Sequence, residues 1–181
     1  SFLKILLEKG KELGLDLSSL KRGIVGGGAF LPAARQLFQE HGIKVCQTYA
    51  TADVGLIAYE TNPDDGLVID EDIFVEIVRP GSNDIVPDGE VGEVVVSMFS
   101  SIYPLIRFGT GDLSTFIPGR SLCGRTNRRL KGWMGRADQT TKVKGMFVHP
   151  EQINAVIAKH PEITYARLNV KHDAQQSDMM T

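Results

Sequence analysis

The sequence of 181 residues predicts a mixed α/β fold in three parts: a partial α/β sheet subdomain, a small antiparallel β unit and a small C-terminal α+β lobe. Three patterns predict it. The first third shows a strand–turn–helix–strand order, which is typical of a parallel sheet. Short β-rich runs separated by turn clusters come next. The last third has the strand–helix–strand order of a separate small lobe.

The first section contains two predicted helices on either side of a glycine-rich break. Apolar residues recur at helical spacing from Phe2 to Leu15. A second helix is predicted from Pro32 to His41, because proline suits the first helical turn and Gly42 suits the C-terminal cap. A strand is predicted to begin at Ile43 and to run through Gln47.

The composition changes near Asn62, where a strong turn cluster precedes a β-rich section that begins at about residue 67. Three antiparallel strands are predicted there: Ile73 to Val78, Gly92 to Phe99 and Leu113 to Ile117. The final lobe is predicted to hold a strand, a helix and a second strand: Val143 to Val148, Pro150 to His160 and Ile163 to Val170.

Composition excludes several classes of function. The net charge of −2 gives no electrostatic footprint for nucleic acid. No apolar run reaches the roughly 20 residues that cross a bilayer, and no signal-peptide pattern opens the chain. The two cysteines, Cys46 and Cys123, lack CxxC spacing, which indicates a reducing, cytoplasmic environment. Because Ser1 falls within a predicted helix, we expect the chain to be part of a longer protein.

The glycine run Gly26-Gly27-Gly28 is the first candidate site. Glycines allow backbone N–H groups to approach a phosphate or nucleotide closely. The run does not match the dinucleotide fingerprint, because Leu31 stands where the third glycine is needed, and no P-loop pattern follows. The alternative interpretation is a tight turn between a strand and a helix.

The second candidate is the stretch from Tyr49 to Gly55, at the end of a predicted strand. Ligands of open α/β sheets bind at the carboxyl ends of strands. Tyr49 could stack on a purine there, and Asp53 could bind Mg²⁺ together with substrate phosphates. The alternative is that Tyr49 packs in the core and Asp53 caps a helix.

Two further candidates lie later in the chain. Asp112, which follows two glycines in a predicted turn, could accept hydrogen bonds from two ribose hydroxyls; the alternative is an Asx-type turn. Arg136 could pair with a phosphate or ribose oxygen; the alternative is a solvated charged loop. Trp133 and Met134 are predicted to be packing residues.

In this order and at these intervals, the segments resemble the adenylate-forming superfamily of acyl- and aryl-CoA ligases, and in particular the phenylacetate–CoA ligase family. Two of them resemble its glycine-rich turn on the adenine side (Gly26 to Leu31) and its aromatic–Gly–x–Ser/Thr–Glu motif (Tyr49 to Asp53). The others resemble shared or branch-specific signatures: Gly66 to Asp72, Pro87 to Glu93, Arg107 to Leu113, Cys123 to Thr126 and Gly135 to Asp138.

The resemblance implies an ATP-dependent ligase that activates a carboxylic acid as an acyl-adenylate and transfers it to coenzyme A. It implies an aryl or arylacetic acid such as phenylacetate, a role in phenylacetate catabolism, and a requirement for ATP, Mg²⁺ and coenzyme A. It implies small-molecule partners, with no nucleic acid and no membrane, and it allows a homodimer. Residues 1–134 would be the C-terminal part of the large AMP-binding domain, and residues 135–181 would begin the small lobe after the hinge.

The resemblance also implies roles for individual residues. Tyr49 would stack on adenine, Asp112 would bind the ribose hydroxyls and Asp53 would hold Mg²⁺. Arg136 would contact ribose or phosphate, and Asp138 would be the hinge of the small lobe. The residues implied to bind nucleotide or coenzyme A are Gly26, Gly27, Gly28, Gln47, Tyr49, Ala50, Asp53, Asp112, Arg136, Lys144 and Gly145. Among them, Gln47 would contact the adenine edge, and the loop from Lys142 to Gly145 would line the pantetheine tunnel.

The sequence departs from the family pattern at three positions. Ala52 replaces the usual Ser or Thr, Asp53 is one methylene shorter than the usual Glu, and Gly109 stands where many relatives have Arg. The family's triphosphate loop and its adenylation lysine are expected outside the 181 residues, so the chain alone is expected to bind nucleotide weakly without turnover. Two alternatives stay open: an adenylating enzyme with a different acceptor, and a non-catalytic nucleotide-binding module. A Rossmann oxidoreductase is the weakest alternative.

Overall fold

A computed structural model of the chain describes residues 2–28, 30–139, 141–143, 146–148, 150–160, 162–172 and 178–180. It confirms the predicted mixture of helices and strands. The helices of the described residues are α1 (Phe2–Glu12), α2 (Pro32–Glu40) and α3 (Pro150–Ile157). Each predicted helix is present, and each ends one to three residues earlier than expected. None of these helices has both the length and the apolar character needed to span a bilayer.

The strands belong to a six-stranded sheet, a three-stranded sheet and two short hairpins. In chain order they are β1 (Arg22–Val25), β2 (Lys44–Thr51), β3 (Gly55–Tyr59), β4 (Leu67–Ile69), β5 (Ile73–Val78), β6 (Gly92–Met98), β7 (Leu105–Ser114), β8 (Phe116–Ile117), β9 (Arg129–Leu130), β10 (Thr141–Val143), β11 (Met146–Val148), β12 (Val170–His172) and β13 (Asp178–Met180). A single 3₁₀ turn, Ala137–Gln139, lies between β9 and β10 in the described chain.

The larger sheet has the strand order β1-β2-β3-β4-β9-β8. β1 and β2 are parallel, with α2 as the connection between them, so the predicted parallel unit is present. The other neighbours in this sheet pair antiparallel. Because β1 and β2 run in the same direction, the residues that follow both strands lie at one edge of the sheet.

The smaller sheet has the order β5-β6-β7 and is antiparallel, as predicted. The predicted position of its third strand, Leu113 to Ile117, is wrong. The observed strand β7 ends at Ser114, so Arg107 to Asp112 lies within a strand rather than in a turn. Glu93 pairs with Leu113 and Val95 pairs with Gly109, so residues 110–112 bulge opposite the single residue Val94. The glycines mark a bulged strand, which bends the backbone and redirects side chains.

The C-terminal section also differs from prediction in one element. The predicted strand from Ile163 to Val170 is wrong, because residues 162–169 form no strand and β12 begins only at Val170. A strand needs a hydrogen-bonded neighbour, and β12 obtains one from β13. The predicted strand from Val143 to Val148 corresponds to the hairpin of β10 and β11.

Two hydrophobic clusters form the core of the described residues. One contains buried side chains of β3 to β6 together with Phe116 and Leu130. The other joins α1 and α2 to the start of β2 through four buried side chains: Leu7, Phe38, Ile43 and Val45. Burying a side chain of this size stabilises the fold by roughly 1.5–3 kcal/mol. The second cluster therefore holds α2 and the glycine turn before it against the larger sheet.

Candidate functional site

The glycine turn lies beside the C-terminal half of β2. Val25, the last residue of β1, is in register with Gln47 of β2. A Cβ atom on Gly26 would lie 2.6 Å from the Thr48 hydroxyl oxygen, and Gly27 has φ of 75°. Only glycine tolerates so close an approach and that backbone conformation. The sequence-predicted turn and the sequence-predicted strand end are therefore direct neighbours.

A buried ion pair fixes Gln47 in place. Arg35 of α2 and Glu60, just after β3, have 11% and 4% of their side chains exposed, and their Nη2 and Oε1 atoms lie 2.7 Å apart. The other oxygen of Glu60 accepts a 2.7 Å hydrogen bond from the backbone N–H of Gln47. The backbone N–H of Glu60 donates to the Gln47 carbonyl at 2.8 Å. The edge of the cleft at Gln47 is therefore held through both of its backbone groups.

Asp112 is the centre of the site. The bulge in β7 carries it, and 13% of its side chain is exposed. Its Oδ2 accepts a 3.0 Å hydrogen bond from the Tyr49 hydroxyl. Its Oδ1 accepts hydrogen bonds from Trp133 Nε1 at 2.9 Å and from Arg136 Nη1 at 3.3 Å. The carboxylate on β7 therefore joins β2 to the segment that contains Trp133 and Arg136. Hydrogen bonds to an ionised acceptor are stronger than those between neutral groups.

The electrostatics of the site keep these donors protonated. Burial, assisted by the negative charge of Asp112, raises the pKa of Tyr49, so its phenol remains a donor at neutral pH. Desolvation by burial opposes the charge of Arg136, but the carboxylates of Asp112 and Asp138 outweigh that effect and raise the pKa of its guanidinium group.

A cleft of about 220 Å³ opens between the glycine turn, β2 and Asp112. Six of the sequence-predicted site residues line it: Gly27, Gly28, Gln47, Tyr49, Ala50 and Asp112. Gly26 directly precedes this lining, and Arg136 contacts Asp112 from beside it. Three separate parts of the sequence therefore meet around one cleft, which is lined by an aromatic ring, a carboxylate and two glycines.

The remaining predicted residues lie outside this lining. Asp53 is exposed on the turn between β2 and β3, so it caps no helix. Asp138 is 70% exposed in the 3₁₀ turn, 3.5 Å from Arg136 Nε. Lys144 and Gly145 lie outside the described residues.

Two residues of the lining, Thr48 and Trp133, are not among the site residues predicted from the sequence. Trp133 is expected to pack, yet its indole N–H donates to Asp112 within the cleft. A partly buried indole N–H requires an acceptor, but the sequence does not identify which residue provides it. Gly132 and Gly135, which precede and follow Trp133, have positive φ angles of 119° and 124°, a backbone conformation that favours glycine.

Sequence comparison relates the chain to ligases of known activity. No protein-family model matches it. It is 30% identical over 171 residues to the phenylacetate-coenzyme A ligase of Aromatoleum evansii and 31% identical over 170 residues to that of Escherichia coli K12. Each alignment covers 90% of this chain and 38% of the relative. The chain thus spans less than half the length of the curated relatives it matches.

Structure comparison identifies the same fold. The chain superimposes on an open conformation of 2-hydroxyisobutyryl-CoA ligase, in complex with 2-HIB-AMP and CoA, with a TM-score of 0.82 at 23% identity. That match covers 99% of this chain and 41% of the ligase. An amide bond synthetase from Marinactinospora thermotolerans matches with a TM-score of 0.61 at 24% identity, over 93% of this chain and 37% of the synthetase. The chain is therefore similar over 90% of its length to a C-terminal portion of phenylacetate-coenzyme A ligases, and it has the fold of the adenylate-forming CoA ligases.

Proposed function

We propose that this chain forms part of an ATP-dependent ligase that joins an aryl or arylacetic acid, such as phenylacetate, to coenzyme A. One observation carries the proposal: Tyr49, Asp112 and the glycine turn line a single cleft. That cleft belongs to a chain 28–31% identical to four phenylacetate-coenzyme A ligases.

The proposed reaction has two steps, adenylation of the acid and transfer of the acyl group to coenzyme A. A carboxylate oxygen of the acid attacks the α-phosphorus of ATP, and pyrophosphate leaves with the electron pair of the broken P–O bond. The thiol sulfur of coenzyme A then attacks the acyl carbon, AMP leaves and the thiol proton is released. A free carboxylate is a poor electrophile, whereas the mixed anhydride has a good leaving group. The protein contributes mainly by positioning reactants of like charge and by electrostatic stabilisation.

The cleft suits an adenosine nucleotide. The ring of Tyr49 offers a stacking surface for the base, and stacking on an aromatic side chain contributes roughly 1–3 kcal/mol per base. Gly26 to Gly28 and Ala50 would bring backbone close to the nucleotide, and Gln47 would contact the edge of the base. Asp112 would accept hydrogen bonds from the ribose hydroxyls, because a carboxylate offers about four acceptor positions.

Two charged residues would act on the phosphates. Arg136 already contacts Asp112, and the same guanidinium group could reach a ribose or phosphate oxygen. Asp53 fits a role in holding Mg²⁺, because its carboxylate is exposed three residues after Ala50 of the cleft. Mg²⁺ commonly uses one or two carboxylates together with substrate phosphates. The described residues contain no cluster of three or more His, Cys, Asp or Glu that could hold a metal ion alone. A bound Mg²⁺ would neutralise phosphate charge.

We also propose a division of the chain between residues 134 and 135, close to a hinge at Asp138. Residues 1–134 would belong to the large domain and residues 135–181 to the small lobe, with Asp138 as the hinge. Support comes from the contrast between neighbours: Arg136 is bridged to Asp112, whereas Asp138 is exposed in a short 3₁₀ turn. Hinges are short segments that absorb large changes of φ and ψ. By family resemblance alone, Lys144 and Gly145 would line the pantetheine tunnel.

Binding of AMP to the 181-residue chain tests the cleft directly. We expect calorimetric titration to detect weak binding, with no release of pyrophosphate when ATP and acids are supplied. Asp112→Asn should weaken AMP binding by about tenfold or more, because it removes a charged acceptor. The exposed Asp72 provides the control, as Asp72→Asn should leave AMP affinity unchanged. Equal affinities of the two variants, or no binding to the unaltered chain, would contradict the proposal.

A second candidate keeps adenylation and replaces coenzyme A with an amine. The structural match to an amide bond synthetase favours this second candidate, since that protein shares the fold. Trapping of acyl-adenylate by hydroxylamine in the intact protein, with and without coenzyme A, separates the two. A thioester that forms only with coenzyme A supports the ligase, and an amide without thioester supports the alternative. Absence of any trapped product would indicate a nucleotide-binding module without catalysis.

A further inference from the structure

The indole of Trp133 holds the carboxylate at the centre of the cleft. Its Nε1 donates to Asp112 Oδ1 at 2.9 Å, and its ring lines the cleft together with Tyr49. An indole N–H can only donate, so its direction is set by the placement of the ring. Trp133 is also the single tryptophan of the chain.

The backbone on both sides of Trp133 is bonded to the strand that carries Asp112. The Ser114 hydroxyl donates to the carbonyl of Gly132 at 2.7 Å. The backbone N–H of Met134 donates to the carbonyl of Leu113 at 2.9 Å. Because both neighbours of Trp133 are fixed to residues just after Asp112, the indole and the carboxylate keep a constant relative position.

The carboxylate keeps acceptor capacity for a ligand beside its donors among the described residues. An ionised carboxylate has about four lone-pair positions, and three donors already contact Asp112: Tyr49, Trp133 and Arg136. The terminal torsion of an aspartate is broad and permits rotation of the carboxylate. Donors on both oxygens restrict that rotation, so they determine which lone pairs face the cleft.

We propose that Trp133 is a positioning residue for ribose recognition, and that its N–H orients the Asp112 carboxylate toward the hydroxyls of an adenosine nucleotide. The proposal rests on the proposed function, since it requires that a ribonucleotide binds in the cleft. It makes Trp133 a determinant of selectivity for ribose over deoxyribose. Tyr49 and Arg136 continue to hold Asp112 when the indole N–H is removed, so the loss of affinity should be partial.

Trp133→Phe tests this role, because it retains an aromatic ring while it removes the N–H donor together with the five-membered ring of the indole. Calorimetry would give the affinities of AMP and 2′-deoxy-AMP for the unaltered chain and for the variant, with circular dichroism as the check on folding. We expect the unaltered chain to prefer AMP by about tenfold, the loss associated with one hydrogen bond to a charged group. In the variant, AMP affinity should fall severalfold while 2′-deoxy-AMP affinity changes little, so the preference shrinks.

A merely structural role gives a different result, because both affinities would fall together and the preference would be unchanged; that outcome overturns the proposal. The unaltered chain gives a second measurement that needs no variant. Titration with AMP should change the fluorescence of Trp133. The dissociation constant obtained from this titration should equal the one obtained by calorimetry. Binding detected by calorimetry without any change in emission would overturn the inference while leaving nucleotide binding intact. If the unaltered chain binds neither nucleotide, the proposed function fails, and the inference fails with it.

Discussion

The hydroxyl of Tyr49 donates a 3.0 Å hydrogen bond to Asp112, a residue 63 positions further along the chain. Tyr49 belongs to β2 of the six-stranded sheet, and Asp112 belongs to β7 of the three-stranded sheet. The contact therefore joins the two sheets across the cleft. Burial keeps the phenol protonated, as the raised pKa of Tyr49 indicates, so the bond persists through neutral and mildly alkaline pH.

Two substitutions of Tyr49 distinguish the role of its hydroxyl from the role of its ring. Tyr49→Phe should lower the free energy of unfolding by about 1–3 kcal/mol, because it removes a hydrogen bond to a charged group, and it should largely retain AMP binding. Tyr49→Ala should weaken AMP binding by roughly tenfold or more, because the stacking surface is lost. Urea denaturation and calorimetry measure the two effects, and Tyr103→Phe at an exposed site is the control. Equal loss of AMP affinity in both Tyr49 variants would argue against stacking.

Gly111 allows the guanidinium group of Arg136 to approach the bulge. A Cβ atom on Gly111 would lie 2.5 Å from Arg136 Nη2, and Gly111 has φ of 72°. Gly119 has a similar φ of 79° with open space around its Cβ position, so Gly119→Ala is a matched control for backbone strain. Both alanine variants should lose about 1–2 kcal/mol of stability from the left-handed conformation. Only Gly111→Ala should also displace Arg136 and weaken AMP binding; an unchanged AMP affinity would refute this.

The buried pair of Arg35 and Glu60 should contribute strongly to stability as long as both partners are present. Glu60→Ala should lower the free energy of unfolding by about 3–5 kcal/mol, because it removes the nearer of the two carboxylates that pair with buried Arg35, leaving Asp64 at 3.0 Å, and also removes the acceptor of the Gln47 N–H. The exposed pair of Arg125 and Glu71 is the control, and Glu71→Ala should cost at most about 1 kcal/mol. Urea denaturation measures both. Similar losses in the two variants would mean that Arg35 finds other solvation when Glu60 is absent.

Cys123 should react as a thiolate near neutral pH. The Ser121 hydroxyl, 3.1 Å from its sulfur, is the main cause that lowers the pKa of this exposed thiol to about 7. A lowered pKa means that the thiolate fraction, and hence the alkylation rate, rises through pH 7 and reaches a plateau above about pH 8. Ser121→Ala should move that midpoint upward, toward the ordinary value of about 8.5. Iodoacetamide labelling followed by mass spectrometry measures the rate, with partly buried Cys46 as the internal comparison; an unshifted midpoint would exclude Ser121 as the cause.

The first half of the cleft was predictable because local rules determine it. Pro32 and Gly42 mark the helix between two strands, and a strand–helix–strand unit pairs its strands in parallel. That arrangement places the glycine turn next to Gln47 and Tyr49 at the carboxyl edge of the sheet, as the register of Val25 with Gln47 confirms.

The second half depends on contacts distant in sequence. Glycines 109 and 111 are equally compatible with a turn and with a bulged strand, and pairing with β6 decides between them. The position of Trp133 follows from two hydrogen bonds between its neighbours and β7, which no local sequence pattern predicts. Residues 162–169 have the composition of a strand, but strand formation depends on a neighbouring strand.

Because opposite walls of the cleft belong to different sheets, the cleft is a property of the assembled fold rather than of either half. A polypeptide cut between β4 and β5 would retain the glycine turn and Tyr49, yet it would lose the acid that faces them. Proteolysis or a destabilising substitution in β5 to β7 should therefore abolish nucleotide binding completely rather than weaken it. Retention of nucleotide by such a clipped polypeptide would show that one wall suffices.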